Sequence, residues 1–240
     1  MRTTLLGTGA ADIHAPDGCS CPNCVLVKQR GGRSRRTYSS AITDGELLID
    51  CGPTVPAQLA ALAPGDFPRY LLMTHPDSDH FDLDAIATVA AGCPAEGLTV
   101  VGSTPVLDAL RVHRGGRALR LVPAVPFETL ELGSWSITPL PARHRGEAGD
   151  SLIYIVTRNA YSLLYASDTG PLLPQTLAEL EGRRLDAVVA EATFGLQTTG
   201  IPDLASAHMN FPLLCELRQT LLACGTIEPG TPVVATHLSL

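Results

Sequence analysis

Apolar runs of strand length recur along the whole chain and predict a series of β-strands. The predicted strands span residues 3–6, 40–43, 47–50, 70–74, 98–101, 135–140, 152–156, 162–166, 187–190 and 233–236. Several of these runs have no polar alternation and consist almost entirely of aliphatic residues. Strands of this kind are typical of sheets that are covered on both faces.

Longer segments with apolar residues three or four positions apart lie between the strands and predict helices. They span residues 56–62, 83–91, 105–112, 173–181 and 211–223, and we expect Asn210 to cap the last of them. Some strands are close enough in sequence for hairpins, whereas others are separated by a helix. The predicted fold class is therefore α/β, with helices covering the sheets. No linker-like stretch divides the chain, so we predict one domain over residues 1–240.

Composition narrows the function classes. With 45% hydrophobic and 17% charged residues, the chain can bury a core, and it contains neither a membrane-length apolar run nor a signal-peptide pattern, so we expect a cytoplasmic protein that does not bind a membrane. The net charge of −7 argues against bulk nucleic-acid binding. A small phosphorylated substrate would need local positive charge. Seven cysteines without an export signal favour metal ligation or burial over disulfides. A homodimer is compatible with the sequence.

Side chains able to bind metals follow five of the predicted strands at their carboxyl ends, where loops of an α/β sheet converge. They are His75, His144, Asp168, Glu191 and His237. A single histidine at a strand end is most often structural. Five strands that end in the same way indicate a shared metal site.

The densest cluster is Thr74-His75-Pro76-Asp77-Ser78-Asp79-His80-Phe81-Asp82. Alternate residues of an extended segment point the same way, so His75 and Asp77 can bind one ion while Asp79 and His80 face a second. Asp82 is expected to cap the helix that begins at Leu83. Imidazole and carboxylate ligands suit zinc, manganese or iron, and a pair of such ions can hold a phosphodiester and activate water.

These residues resemble the metal-binding signature of the metallo-β-lactamase superfamily, as do the flanking Leu48-Ile49-Asp50-Cys51-Gly52 and Ser167-Asp168-Thr169-Gly170. The resemblance implies an αββα sandwich, in which two mixed β-sheets are flanked by helices. Leu6-Gly7-Thr8-Gly9-Ala10, followed by Cys19-Ser20-Cys21-Pro22-Asn23-Cys24, is similar to a narrower branch, the phosphoribosyl cyclic phosphodiesterases (PhnP). Relatives with the same cysteine motif include proteins that resemble tRNA-maturation enzymes and cofactor-biosynthesis proteins.

The resemblance also implies roles for individual residues. His75 and His144 would bind the first of two divalent ions, and Asp79, His80 and His237 would bind the second. Asp168 would bridge the two ions. His208 would assist the leaving group. Together with Asp168 and Asp79, it is an expected catalytic residue. Glu191 is expected to orient a ligand histidine.

The sequence departs from the superfamily pattern at Asp77, where histidine is usual. If Asp77 is a ligand, the additional carboxylate lowers the net charge of the site by one and favours manganese or iron, because both accept hard oxygen ligands. The alternatives are that Asp77 does not bind, leaving one metal or a degraded, non-catalytic site. Beside a metal-dependent phosphodiesterase, the sequence therefore allows an iron-dependent redox or oxygen-using biosynthetic enzyme and a non-catalytic binding protein.

The triplet Cys19, Cys21 and Cys24 predicts a separate structural zinc site on a loop, with three buried or redox-active thiols as the alternative. In the branch that the chain resembles, the fourth ligand is a histidine three residues beyond the last active-site histidine. Leu240 occupies that position here, so we expect closure by His14 or Asp17, or a natural chain that is longer. The remaining cysteines, Cys51, Cys93, Cys215 and Cys224, are predicted to lie in the core.

Two groups of arginines are candidates for phosphate binding. One is a basic segment over residues 28–36, which a solvated loop would also explain; it contains Lys28, Arg30, Arg33, Arg35 and Arg36. The other is the pair Arg143 and Arg145, which flank His144 and are better placed for a phosphate at the metals.

Overall fold

The structure is a computed structural model that describes residues 1–13, 18–62, 67–93, 96–112, 119–146 and 149–239. Its helices are α1 (Pro22–Arg30), α2 (Val55–Ala60), α3 (Leu83–Gly92), α4 (Thr104–Val112), α5 (Pro174–Leu180) and α6 (Phe211–Ala223), with a short 3-10 helix at Gly32–Ser34. The strands are β1 (Thr3–Gly7), β2 (Ser40–Thr43), β3 (Leu47–Ile49), β4 (Tyr70–Leu72), β5 (Leu98–Gly102), β6 (Leu119–Pro123), β7 (Leu130–Leu132), β8 (Trp135–Pro141), β9 (Leu152–Arg158), β10 (Tyr161–Ala166), β11 (Ala187–Glu191) and β12 (Val233–Thr236).

The strands form two six-stranded sheets, each of them mixed. The first has the order β1-β2-β3-β4-β5-β6, in which β1 to β3 are antiparallel and β3 to β6 are parallel. The second has the order β12-β11-β10-β9-β8-β7, with β12, β11 and β10 parallel and the others antiparallel. The parallel pairs β3–β4, β4–β5, β5–β6, β10–β11 and β11–β12 are each joined through a helix, whereas β1 and β2 pair antiparallel although α1 lies between them.

Period-two alternation within the strands sends side chains into different layers. In β3, Leu47 and Ile49 lie in the core between the sheets, while Leu48 faces α3 and α4. In β10, Tyr165 lies between the sheets, whereas Leu164 packs against α5 and α6. The layers are therefore helix, sheet, sheet and helix, which confirms the predicted αββα sandwich.

The sequence prediction is wrong for three elements. Strands β6 and β7 were not predicted, because β6 is half-exposed and β7 has only three residues. Helix α1 was not predicted either: Cys19 lies on a loop as predicted, but Cys21 is the N-cap of α1, Pro22 occupies its first turn, and Cys24 is inside it. Proline is favoured in this first turn because its missing N–H has no partner there anyway. The predicted caps Asp82 and Asn210 are both confirmed.

Candidate metal centre

The candidate site is built from strand ends of both sheets. Asp50 directly follows β3, His237 directly follows β12, and Asp168 comes two residues after β10. Each of these three residues has a positive φ, of 61°, 52° and 49° respectively. Since this conformation is uncommon for non-glycine residues and concentrates at functional sites, the chain turns sharply where it delivers these side chains.

The first cluster contains His75, Asp77 and His144. Oδ2 of Asp77 lies 3.4 Å from Nε2 of His144 and 3.7 Å from Nε2 of His75. The rings of His75 and His144 are 4.9 Å apart. The Asp77 side chain is 40% exposed, so this cluster opens to solvent on the side of Asp77.

The second cluster contains Asp79, His80, Asp168 and His237. Nε2 of His80 and Nε2 of His237 each lie 3.4 Å from Oδ2 of Asp79. Oδ1 of Asp168 is 2.8 Å from Nε2 of His237, and its Oδ2 lies 3.3 Å from Nε2 of His80. The same Oδ2 is 3.0 Å from Nε2 of His75 in the first cluster. Asp168 therefore lies between the two clusters, where a bridging ligand would be.

The donor set fits a pair of divalent cations. Among the described residues, Nε2 of His75, Nε2 of His80 and Oδ1 of Asp168 are buried without a hydrogen-bond partner. Nevertheless, each of these atoms lies 2.8 to 3.3 Å from a carboxylate oxygen or ring nitrogen of another site residue. Two ligand atoms bound to one ion at about 2.1 Å lie about 3.0 to 3.4 Å apart in octahedral or tetrahedral coordination. The observed separations match this spacing, and atoms that point at a common centre need not be aligned for hydrogen bonds with each other.

The opposite ring nitrogen of every candidate ligand histidine contacts the protein. Nδ1 of His75 lies 2.8 Å from Oγ1 of Thr74, and Nδ1 of His80 lies 2.8 Å from Oδ2 of Asp50. Nδ1 of His144 is 3.3 Å from the carbonyl oxygen of Ala207, and Nδ1 of His237 is 2.9 Å from Oγ1 of Thr193. Such contacts fix the ring orientation and leave Nε2 for the metal.

Sequence reasoning did not assign Asp50, Thr74 or Thr193 to the site. Asp50 is fully buried and accepts hydrogen bonds from His80 and from both the backbone N–H and the hydroxyl of Thr74. One available signal was its position, because Asp50 is the last residue of a predicted apolar strand, and other site residues also lie at strand ends. The threonines carry no comparable signal, since their role depends on contacts across the fold.

The site is strongly polarised by its own charges. Burial alone would lower the pKa of His80, but the charges of Asp168 and Asp50 hold it well above the usual range. Burial likewise opposes charge on His237, and Asp168 nevertheless raises its pKa to about 9. Burial disfavours charge on Asp168 too, yet His237 and His80 hold its pKa well below normal. The hydrogen bond from His144 lowers the pKa of Asp77. Without a metal, the buried carboxylates are therefore neutralised by protonated histidines. A metal cation bound at the same place can supply this positive charge instead of the protons.

His208 lies beside the clusters, in the segment between β11 and α6. Its Nδ1 is 3.1 Å from Oε1 of Glu191, and its ring is 5.0 Å from that of His144 and 5.7 Å from that of His237. Glu191, fully buried, also accepts from the backbone N–H groups of Thr169 and Met209. We expected Glu191 to orient a ligand histidine, but its direct histidine partner is His208. It reaches the ligand His237 only through Thr193.

The cysteine triplet is a separate cluster at the start of α1, in which the Sγ atoms of Cys19, Cys21 and Cys24 lie within 4.8 Å of one another. The backbone N–H of Cys24 lowers the pKa of the Cys21 thiol, while hydrogen bonds with Cys21 and Cys19 raise that of Cys24 to about 12. His14, Asp17 and Leu240, considered above for the fourth ligand, lie outside the described residues.

Predictions for the other cysteines and for the arginines have mixed outcomes. Cys51 and Cys93 are buried as predicted, but the prediction is wrong for Cys215 and Cys224, which are exposed on and just after α6, on the face turned away from the core. Arg143 donates from Nε to the carbonyl oxygen of Pro171, so part of its guanidinium is already engaged. Arg145 is exposed, and its charge contributes to lowering the pKa of Asp77.

An αββα sandwich with histidine and aspartate clusters at the strand ends defines the class of metal-binding, metallo-β-lactamase-fold hydrolases. The chain belongs to this superfamily: residues 46–238 match the model of the beta-lactamase superfamily domain. No curated protein matches the sequence.

The solved structures that share the fold over nearly the whole chain include the following three. Zn²⁺-bound PqqB from Methylobacterium extorquens is 17% identical with a TM-score of 0.73, over 100% of this chain and 99% of that one. A diphosphatase from the PhnP family is 21% identical with a TM-score of 0.71, over 99% and 85%. The short form of human tRNase Z is 17% identical with a TM-score of 0.70, over 100% and 93%. At these identities the likeness shows the fold.

No helix within the described ranges combines the length and the apolar character that crossing a membrane requires.

Proposed function

We propose that this protein is a hydrolase of small phosphodiesters that depends on two divalent metal ions. The observation that carries the proposal is the position of Asp168, whose carboxylate lies within 3.3 Å of histidines from both clusters. Cyclic phosphodiesters on a sugar belong to the proposed substrate class, since the sequence resemblance implies them. The protein would act in the cytoplasm, alone or as a homodimer.

The proposed reaction gives one group of residues the binding of metal ions and another residue the donation of a proton. His75, Asp77 and His144 would hold one ion, Asp79, His80 and His237 the other, and Asp168 both; the pair of ions would activate water and neutralise charge on the phosphate oxygens. His208 donates from Nδ1 to Glu191, which turns its Nε2 away from that carboxylate. The protonated imidazole can therefore deliver a proton from Nε2 to the departing alkoxide.

Local charge supports a phosphorylated substrate despite the net charge of −7. Asp77, Asp79 and Asp168 direct their charge at the metal positions, so the pocket is much less negative than the whole surface when ions are bound. The exposed Arg145 is near Asp77, on the open side of the first cluster, and suits contact with a phosphate oxygen.

For Cys19, Cys21 and Cys24 we propose a structural zinc ion.

The proposal is tested with bis(p-nitrophenyl) phosphate as substrate and with added manganese or zinc. We expect turnover by the native protein and none by Asp168→Ala. Asp108→Ala is a matched control, because Asp108 is exposed and pairs with Arg111 three residues away on α4. Activity that survives in Asp168→Ala, or protein that binds well under one metal at this site, would overturn the assignment.

One observation favours a second candidate, an iron-dependent redox or oxygen-using enzyme. The first cluster, His75, Asp77 and His144, is a set of two histidines and one carboxylate, a combination typical of non-haem iron sites. Its signatures would be iron in protein purified without chelator and oxygen uptake in place of phosphodiester cleavage.

A further inference from the structure

Two buried carboxylates support the site in the same way, one in each sheet. In the first sheet, Asp50 contacts Nδ1 of His80 directly and reaches His75 through the hydroxyl of Thr74. In the second sheet, Glu191 contacts Nδ1 of His208 directly and reaches His237 through the hydroxyl of Thr193. Each carboxylate therefore holds one histidine itself and a second one through a threonine.

Counting hydrogens fixes the tautomers of the two histidines behind the threonines. A threonine hydroxyl has one hydrogen, and a carboxylate can only accept. Thr193 donates its hydrogen to Oε2 of Glu191, so its oxygen must accept from Nδ1–H of His237. By the same reasoning Thr74 donates to Asp50 and accepts from Nδ1–H of His75. In the neutral form of each ring the hydrogen therefore lies on Nδ1, which leaves Nε2 available to a metal.

The Asp50–Thr74 and Glu191–Thr193 arrangements differ in the histidine that the carboxylate contacts directly. His80 belongs to the second ligand cluster, whereas His208 is the proton donor in the proposed function. Thr74 thus connects one candidate ligand to the support of another. Thr193 connects the ligand His237 to the support of the proton donor.

We propose that Thr193 is a positioning residue that couples metal binding at His237 to the orientation of His208. Thr193 is buried, with 6% of its surface exposed, and its hydroxyl is the third group that fixes the Glu191 carboxylate after two backbone N–H groups. Without this hydroxyl, Nδ1–H of His237 loses its acceptor, and one oxygen of Glu191 loses a donor. The His237 ring then loses its only contact at Nδ1 among those described, and the carboxylate behind His208 is held by its two backbone donors alone, which positions His208 less tightly.

The test compares Thr193→Val and Thr193→Ser with the matched pair Thr74→Val and Thr74→Ser. Cobalt(II) affinity, measured by visible absorption in competition with a chelator, does not depend on the proposed function. We expect both valine variants to bind cobalt about 10- to 100-fold more weakly and both serine variants to recover most of this loss. Unfolding midpoints by circular dichroism show whether each variant folds.

A second measurement separates the two threonines and rests on the proposed function. Methyl aryl phosphodiesters with leaving groups from p-nitrophenol to phenol need increasing help from a proton donor. At saturating metal, Thr193→Val should lose at least about tenfold more activity on the phenyl ester than on the p-nitrophenyl ester, as should His208→Ala. Thr74→Val should lose the same factor on both. If neither the native protein nor any variant cleaves any of the esters, the proposed function fails. The cobalt measurement still decides whether Thr193 supports metal binding at His237.

The tautomer is accessible in the native protein without any substitution. A long-range ¹⁵N–¹H spectrum of the zinc-loaded protein should show the proton of His237 on Nδ1. A proton on Nε2, cobalt affinity unchanged in Thr193→Val, or equal losses on both esters in Thr193→Val would each overturn the coupling.

Discussion

Replacing Asp50 with asparagine should weaken metal binding although Asp50 is not itself a candidate ligand. The carboxylate is fully buried and accepts from three donors: the backbone N–H of Thr74 at 2.8 Å, its hydroxyl at 2.9 Å, and Nδ1 of His80 at 2.8 Å. Asparagine has the same shape, but one of its two terminal atoms is a donor. The three donors therefore cannot all keep an acceptor.

Both orientations of the asparagine amide are unfavourable. If its oxygen faces Thr74, the NH₂ group meets Nδ1 of His80 and drives the hydrogen of that ring onto Nε2, the atom that should bind the metal. If its oxygen faces His80, the backbone N–H of Thr74 is left buried without an acceptor. An unsatisfied buried group costs about 1 to 3 kcal/mol, which corresponds to about 5- to 150-fold in metal affinity when binding requires the strained form.

Chelator competition with zinc or cobalt, together with elemental analysis, measures this loss. We expect Asp50→Asn to retain the first ion better than the second, because His80 belongs to the second cluster. Asp186→Asn is a matched control, since Asp186 accepts from the backbone N–H of Ser162 at the start of β10 rather than at the ends that form the site. Two ions bound to Asp50→Asn with native affinity would refute the reasoning.

Two further predictions concern pH and the cysteines. In metal-free protein, the pKa of His237 is raised, so its charged form stabilises the fold fully below pH 6.5, and this stabilisation is lost as the pH rises through about 9. The pKa values of Asp79 and Asp168 are lowered, so their charged forms stabilise the fold above about pH 3.8, and this stabilisation is lost as the pH falls. Urea midpoints measured with chelator should therefore peak between these limits, and a midpoint that rises from pH 6.5 to 9 would contradict the assignment. Cys24→Ser should lose one zinc ion and leave cobalt binding at the histidine clusters unchanged, with the exposed Cys215→Ser as control; equal zinc content in both variants would argue against a metal at the triplet.

The strands that could be predicted from the sequence are those buried on both faces. In β4, β9, β10 and β11, runs of apolar residues without polar alternation occur because each strand lies between the other sheet and the helices. Strand β6 lies at the edge of its sheet and is half-exposed, so its sequence lacks this signal. Helix α1 buries only Cys24 among its described side chains, so its sequence has no apolar face from which the helix could be predicted.

The candidate site divides in the same way. His75, Asp77, Asp79 and His80 are contiguous, so their spacing alone indicated a metal centre. His144, Asp168 and His237 come from three separate strand ends, and only the shared position after a strand, or the family resemblance, groups them. Thr74 and Thr193 could not be predicted, because a threonine is recognisable as a support only once its two partners are placed on either side of it.

Asp77 differs from the other carboxylates of the site in its exposure. Its side chain is 40% exposed, against 8% for Asp79 and 4% for Asp168. Replacing the usual histidine by aspartate at this position therefore adds negative charge on the open side of the first cluster, where water still solvates it, and avoids the cost of burying a further carboxylate. The buried second cluster and its supports, Asp50 and Glu191, are compatible with either residue. The departure from the family pattern thus falls at the most exposed of these three carboxylates, so the metal bound by Asp77→His protein, compared with that bound by the native protein, bears on the choice between the two candidate functions.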